Sequence, residues 1–233
     1  MTAVAERAAP PDRTGGLQGP LRQVVRPWLR LLWELEVAGL EHVPREGPAL
    51  IAPNHISFID SVFVLALMPR RILAVGKAEY MDSWKTRHLF PAIGMIPLDR
   101  SGGSASEAAL DQATSSLERG DLFLIFPEGT RSRDGYLHRG RTGVARLALR
   151  TGAPIIPVGI RGTDAIQPPG ASLPRLRKPC SFHFGPPIST ARYAGVDVTR
   201  AVLRDLTDEV MYEIGRRSGQ TYVDTYGGEA LSA

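Results

Sequence analysis

The chain has 233 residues, 43% of them hydrophobic, which suits one domain with a proper core and short tails. The formal net charge is only +4, and all but three of the 28 basic residues are arginine, the side chain best shaped to bind phosphate through a fork of donors. The single cysteine, Cys180, excludes an internal disulfide bond and fits a reducing cytosol. No basic face interleaved with aromatic residues indicates nucleic-acid binding, and the five histidines lack the paired spacing of metal ligands.

The N-terminal part of the chain divides into a tail and a helix. Residues 1–20 contain prolines, glycines and mixed charge without an apolar segment, which favours a disordered tail over a signal peptide. Residues 21–36 are predicted as an amphipathic helix in a membrane interface, with an apolar stripe (Leu21, Val25, Trp28, Leu32, Leu35) and a basic stripe (Arg22, Arg26, Arg30). A terminal helix packed on its own domain is the alternative. Pro27 predicts a kink or a new start within it.

The turn around His55 is the main candidate for catalysis. Apolar residues 49–52 predict a buried strand and residues 58–68 a helix, so His55 lies on the connecting turn, where α/β sheets hold their functional residues. Asp60, on the first helical turn, can bond a ring nitrogen and fix the tautomer that His55 presents as a general base. The alternative is structural, because Ser57 and Asp60 have the spacing of a capping box.

A second polar turn follows residues 121–126, the clearest buried strand. Gly129 permits close approach of the backbone to a ligand, and Arg131 can hold a phosphate bidentately. Glu128 can hydrogen-bond an acceptor hydroxyl or order Arg131. An ordinary surface turn with an acid–arginine pair is the alternative.

Short apolar strands alternate with helices along the rest of the chain. Further strands are predicted over residues 72–75, 94–98, 154–160 and 181–184, with helices between them and an amphipathic closing helix. This alternation predicts an α/β fold, a single domain over residues 37–218 with a largely parallel mixed sheet of about seven strands flanked by helices. Residues 166–178 are predicted as a basic loop, and residues 219–233 as a loose C-terminal tail.

Four blocks of sequence resemble the glycerolipid acyltransferase family, typified by the 1-acyl-glycerol-3-phosphate acyltransferases. They are NHISFID (residues 54–60), which matches the family's His-x4-Asp signature, GMIPLDR (94–100), FPEGTRS (126–132) and IIPV (155–158). Pro97 departs from the family's usual form, which carries an aromatic residue at that position. The resemblance covers most of the chain from about residue 37 to residue 190.

The resemblance implies direct transfer of an acyl group from acyl-CoA or acyl-ACP to the free hydroxyl of lysophosphatidic acid, giving phosphatidic acid without a metal or cofactor. His55 is then the base that Asp60 orients. The expected substrate-binding residues are Lys77, Arg100, Glu128, Gly129, Thr130 and Arg131, of which Arg131 with Lys77 or Arg100 anchors the acceptor phosphate. For Lys77, an ordinary surface lysine is the alternative.

Other functions remain open at this point. The acceptor could be another lysophospholipid or a hydroxylated lipid, or the chain could be a non-catalytic peripheral lipid-binding protein. The donor's acyl carrier protein would be a further partner. Since no stretch reaches eighteen uninterrupted apolar residues, we expect peripheral attachment to a membrane surface, on the cytoplasmic face.

Motifs of other enzyme classes do not occur. The sequence contains no Gly-x-Gly, no P-loop and no His-Glu-x-x-His, so it predicts neither dinucleotide binding nor a zinc protease. It also lacks the Gly-x-Ser-x-Gly elbow, which argues against a covalent acyl-serine intermediate.

Overall fold

The structure is a computed structural model, and it describes residues 16–77, 93–98 and 103–228. Most of the predicted N-terminal tail, together with Arg100, lies outside the described residues.

A seven-stranded sheet forms the centre of the domain. The strands of the described chain are β1 (Glu34–Ala38), β2 (Ala49–Pro53), β3 (Ile72–Lys77), β4 (Met95–Leu98), β5 (Leu122–Leu124), β6 (Leu137–His138), β7 (Ile155–Arg161), β8 (Pro179–Phe184) and β9 (Tyr222–Val223). The sheet has the order β1-β8-β7-β2-β5-β3-β4, and only the β7–β8 pair is antiparallel. The predicted seven-stranded, largely parallel sheet is therefore confirmed. Strands β6 and β9 form a separate parallel pair.

Helices cover both faces of this sheet. The described helices are α1 (Gln18–Leu32), α2 (Asp60–Leu67), α3 (Gly103–Glu118), α4 (Gly143–Thr151), α5 (Thr163–Ile166) and α6 (Arg200–Ser218). Alternate residues of β2 enter two separate cores: Ile51 packs in the core beneath α1 and α2, whereas Leu50 and Ala52 pack in the core beneath α3, α4 and α6. Burial on both faces explains why these strands are apolar throughout rather than alternating.

The parallel strands bring two loops to one edge of the sheet. Strand β2 pairs in parallel with β5, so their carboxyl ends lie side by side. The loop at residues 54–59 follows β2, and the turn at residues 127–132 follows β5. Helix α2 begins at Asp60, two residues later than predicted, and β3 continues through Lys77 because its backbone pairs with β4.

Helix α1 begins earlier than predicted, and two of its arginines bind the domain. It begins at Gln18 rather than at residue 21, runs through Pro27, and ends before β1. Arg22 donates to the carbonyl oxygen of Met68 at 2.8 Å, and Arg26 donates to that of Ala66 at 2.8 Å. Arg22 and Arg26 therefore bind the end of α2, and contact of α1 with a membrane interface stays a prediction. The last carbonyls of α2 have no partner within the helix, and they carry the negative end of its dipole.

The apolar residues of α1 also divide between two faces. Leu29 is buried, and Val25 and Leu32 pack against the core beneath α1. A second set lies on the outer face of the helix and is at least 42% exposed: Leu17, Leu21, Val24, Trp28 and Leu31. Within the described part of the chain, no helix is long and apolar enough to cross a bilayer.

The C-terminal segment is ordered through Gly228, contrary to the loose tail that the sequence suggested. Its residues 220–228, called the strap below, include β9, which pairs with β6. The N–H of Leu137 donates to Thr221 O at 2.9 Å, and the N–H of Arg139 donates to Thr225 O at 3.0 Å. The unpaired backbone groups of β6 therefore find their partners in the strap, although Val223 is its only aliphatic residue.

Candidate active site

His55 and Asp60 form a hydrogen-bonded pair at the carboxyl end of β2. His55 Nδ1 lies 2.9 Å from Asp60 Oδ2, with Asp60 fully buried and the histidine side chain 16% exposed. A carboxylate only accepts, so Nδ1 carries the proton and Nε2 keeps its lone pair. Nε2 makes no hydrogen bond to any residue that the structure describes. The pair therefore presents a free basic nitrogen at the edge of the sheet.

The same carboxylate oxygen also serves the start of the helix. Asp60 Oδ2 accepts the backbone N–H groups of Ile56 and Ser57, each at 2.8 Å. The structural and catalytic interpretations of this motif are therefore compatible, because one oxygen bonds both the ring of His55 and the two backbone N–H groups. Ser57 does not act as the helix cap: the residue before α2 is Ile59, and the Ser57 hydroxyl donates to Gln167 O at 2.8 Å.

Phe126 covers one face of the imidazole. The two ring centres are 3.8 Å apart, and the planes are inclined by 19°. Phe126 lies in the third block of the sequence resemblance, but its contact with His55 was not predicted. The stacked ring and the bond to Asp60 together fix the orientation of His55.

Glu128 joins the two turns through the backbone. Its Oε1 accepts the N–H of His55 at 3.0 Å, and its Oε2 accepts the N–H of His138 at 3.1 Å. The side chain is fully buried. Burial raises the pKa of Glu128 to about 7, against the two backbone donors, which lower it. Glu128 makes no bond to Arg131, so it does not order that residue directly, and its contact with an acceptor hydroxyl stays a prediction.

The turn at residues 127–132 also holds the carbonyl group of His55. Ser132 N donates to His55 O at 2.7 Å, so the peptide groups on both sides of His55 are fixed by this turn. Gly129 adopts a φ of 74°, a conformation that favours glycine. Thr130 is exposed. Arg131 is half-buried and makes no hydrogen bond or ion pair with any described residue, so its guanidinium is available to an anion.

The two remaining predicted residues are less well placed by the structure. Lys77 ends β3, at the same edge of the sheet as His55, and its backbone pairs with Leu98. The contact of its side chain with a phosphate remains a prediction. Arg100 lies outside the described residues. Among the described residues, no group of three or more His, Cys, Asp or Glu side chains could hold a metal ion.

Asn54 and Gln220 fasten the His55 loop to distant parts of the chain. The buried Asn54 side chain exchanges two hydrogen bonds with the backbone of Ile160, at 2.7 and 2.9 Å. Asn54 Nδ2 also donates to Gln220 Oε1 at 2.7 Å, and Gln220 Nε2 donates to Gly135 O at 2.9 Å. The strap therefore contributes to the site, and no motif in its sequence signals this role.

The chain is similar in sequence to known proteins. A protein-family model described as Acyltransferase matches residues 34–161, more than half of the chain. A 1-acyl-sn-glycerol-3-phosphate acyltransferase from Limnanthes douglasii is 33% identical over 180 residues, which cover 76% of this chain and 62% of the relative. One named 1-acyl-sn-glycerol-3-phosphate acyltransferase alpha, from Mus musculus, is 26% identical over 167 residues, covering 70% of this chain and 58% of the relative. The chain thus spans only about three fifths of the length of these relatives.

A solved structure has a similar fold. The crystal structure of the 1-acyl-sn-glycerophosphate acyltransferase PlsC from Thermotoga maritima superposes with a TM-score of 0.68 at 23% identity. The match covers 87% of this chain and 78% of the other.

Proposed function

The chain belongs to the acyltransferase family, and we propose that it moves a fatty acyl group from an acyl thioester to the free sn-2 hydroxyl of 1-acyl-glycerol-3-phosphate, giving phosphatidic acid. The observation that carries this proposal is the 2.9 Å bond from His55 Nδ1 to the buried Asp60, because it leaves Nε2 free to accept a proton. The unpaired, half-buried Arg131, close along the chain to the residues that hold His55, supports an anionic acceptor.

In the proposed reaction, the acceptor hydroxyl attacks the thioester carbonyl while His55 Nε2 takes the hydroxyl proton. A hydroxyl group is too weakly acidic to ionise first, and a positioned base accelerates such a step by roughly 10²- to 10⁴-fold. The new carbon–oxygen bond forms, the carbon–sulfur bond breaks, and the proton passes from His55 to the leaving thiolate. Asp60 stabilises the imidazolium that forms in between.

The turn after β5 carries two backbone N–H groups that have no acceptor among the described residues. Two other N–H groups of the turn already have acceptors: Gly129 N donates to Phe126 O at 3.0 Å, and Ser132 N donates to His55 O. The N–H groups of Thr130 and Arg131 make no hydrogen bond to a described residue. These two amides are therefore our candidates for stabilising the tetrahedral oxyanion.

The acceptor's phosphate is assigned to Arg131, with Lys77 or Arg100 as a second cation. A charge-assisted fork on the phosphate would place the acceptor hydroxyl beside His55, which is how positioning lowers the barrier.

Attachment to a membrane surface follows from the nature of the proposed substrates. The outer face of α1 exposes Trp28 and Leu31, at 55% and 70%, together with three further apolar side chains. Arg30 is exposed near the end of the same helix. An apolar stripe with a flanking cation suits the interface of an anionic leaflet, such as the cytoplasmic one. We therefore propose that the protein is peripheral and binds through α1.

The test is acyl transfer from palmitoyl-CoA to lysophosphatidic acid by the purified chain in liposomes, alongside His55→Ala. We expect phosphatidic acid from the wild type and a rate at least about 10²-fold lower from the variant. Comparing the rate with palmitoyl-ACP to the rate with palmitoyl-CoA identifies the preferred acyl donor. Turnover only with other lysophospholipids would change the acceptor, and lipid binding without turnover of any acceptor would support the non-catalytic alternative.

A further inference from the structure

Arg141 lies against the turn that carries Arg131, although it is ten positions further along the chain. Its backbone N–H donates to Pro127 O at 2.7 Å. Its side chain passes so close to Gly129 that a Cβ at that glycine would lie 3.0 Å from Arg141 Cδ and Nε. Both the backbone and the stem of Arg141 are thus packed on the predicted phosphate-binding turn.

Tyr226, in the strap, holds the guanidinium of Arg141. The Arg141 Cζ atom lies 5.0 Å from the centre of the Tyr226 ring, within the range of a cation–π contact. The strap also touches the turn itself, since a Cβ at Gly227 would lie 2.9 Å from Thr130 Cγ2. The strap therefore limits where Arg141 can go.

The donors of Arg141 remain available. Its side chain makes no hydrogen bond or ion pair with any described residue, whereas the neighbouring Arg139 is paired with Asp224 at 3.3 Å. Stacking on a tyrosine engages the flat face of a guanidinium and leaves the N–H groups at its edge free for a ligand. Arg131 is unpaired in the same sense, so two arginines without a carboxylate partner among the described residues lie at this turn, one within it and one packed against it.

We propose that Arg141 binds a phosphate group of one of the two substrates, and that Tyr226 is the positioning residue that holds its guanidinium there. This inference rests on the proposed acyl transfer. A phosphate is the appropriate ligand because the fork of donors on a guanidinium matches its charge and its oxygen geometry. The phosphate belongs either to the lysophosphatidic acid or to the coenzyme A part of the donor.

Initial rates of Arg141→Gln test the proposal. We expect a KM about tenfold higher for the substrate whose phosphate is bound, with kcat changed less than about twofold, because the lost contact is a charge-assisted hydrogen bond. Arg216→Gln is the matched control: Arg216 also lies over a tyrosine, 5.9 Å from the ring centre of Tyr212, but on α6. Its KM values should equal those of the wild type.

Two donors distinguish the two sources of phosphate. The donors are oleoyl-CoA and the N-acetylcysteamine thioester of oleate, which carries no phosphate. If Arg141→Gln has a higher KM for lysophosphatidic acid with both donors, Arg141 binds the phosphate of the acceptor. A higher KM for oleoyl-CoA that disappears with the N-acetylcysteamine thioester assigns it to the donor. Tyr226→Leu should reproduce part of the change and Tyr226→Phe, which keeps the aromatic face, should not.

The proposal is overturned if Arg141→Gln leaves both KM values within twofold of the wild type. A wild type that turns over no donor with any acceptor would instead remove the proposed function. Calorimetric titration with coenzyme A and with glycerol 3-phosphate decides the inference in that case. Weaker binding of either probe to Arg141→Gln supports it, and identical behaviour of the variant and the wild type refutes it.

Discussion

One oxygen of Glu128 accepts the backbone N–H of His55 at 3.0 Å, so a buried carboxylate joins the two turns of the candidate site. The second oxygen extends this tie to the N–H of His138. Glu128 touches the peptide of the proposed base rather than its ring. It therefore fixes the position of His55, while Asp60 fixes the direction of its imidazole.

Glu128→Ala should both destabilise the fold and slow the reaction. The substitution leaves two N–H groups without their acceptor, and each buried, unsatisfied donor costs about 1–3 kcal/mol. We expect the free energy of unfolding, measured with urea, to fall by at least about 2 kcal/mol, and kcat to fall at temperatures where the variant is folded. Glu118→Ala, at an exposed position of α3, is the control. An unchanged urea midpoint would show that Glu128 does not hold the turns together.

The raised pKa of Glu128 predicts a specific pH dependence of stability. Between its ordinary value of 4.5 and about 7, the folded chain keeps a proton on Glu128 that the unfolded chain has lost. Unfolding then releases a proton, so the contribution of Glu128 to the unfolding free energy falls as the pH rises through this window, by about 3 kcal/mol in total. Above pH 8 it is constant.

Glu128→Gln isolates this contribution because glutamine does not titrate. We compare the unfolding free energies of the wild type and the variant, measured with urea at pH 5, 6, 7 and 8. The value for the wild type minus that for the variant should fall steadily up to about pH 7 and then level off. Parallel curves for the two proteins would contradict the raised pKa.

Asp60→Asn should reduce kcat by about 10²- to 10⁴-fold. The oxygen of a neutral amide accepts the three donors that converge on Oδ2 more weakly than a carboxylate does, and it does not stabilise the imidazolium by charge. Steady-state rates measure this effect. Glu36→Gln is the matched control, since Glu36 forms an exposed pair with His183 at 3.3 Å, on the β1–β8 pair. A kcat within threefold of the wild type in a folded Asp60→Asn protein would remove Asp60 from the mechanism.

The double variant Trp28→Ser, Leu31→Ser should bind vesicles less tightly without losing stability. Both side chains are exposed, so nothing in the fold depends on them, whereas their insertion into lipid removes apolar surface from water. We expect the partition coefficient on vesicles that contain phosphatidylglycerol to fall about tenfold or more in co-sedimentation. Tyr212→Ser, at an exposed aromatic residue of α6 on the opposite side of the sheet, should bind as the wild type does. Equal loss in both variants would refute α1 as the membrane contact.

Two arginines of α1 should behave in opposite ways. Arg26 donates to the carbonyl oxygens of Ala66, Leu67 and Met68, so Arg26→Ala should lower the unfolding free energy by about 1–3 kcal/mol. Arg30 is exposed and makes no hydrogen bond with a described residue. Arg30→Ala should leave stability within about 0.5 kcal/mol and weaken binding to anionic vesicles about fivefold. Urea unfolding and co-sedimentation of both variants measure the two effects, and the reverse pattern would refute the assignment.

The sequence by itself determined the sheet and the His55–Asp60 pair. Apolar runs such as residues 49–52 predict buried strands because a strand covered on both faces has no place for polar side chains. The contact between His55 and Asp60 spans only five positions across a strand-to-helix turn, so local geometry is enough to bring them together. The competing structural interpretation was equally local: Asp60 Oδ2 does accept the Ser57 N–H, although Ser57 is not the residue that caps α2.

Only the tertiary structure decided which polar groups meet across the chain. Glu128 and His55 are 73 positions apart, and Asn54 and Gln220 are 166 positions apart. Hydrophobic periodicity predicts which faces are buried, but a buried carboxylate or guanidinium takes whichever donor or acceptor the packed elements leave unsatisfied. Arg26 therefore bonds the last carbonyl groups of α2. The strap packs against the turn at residues 127–132, a contact that no motif in the sequence of the strap predicts.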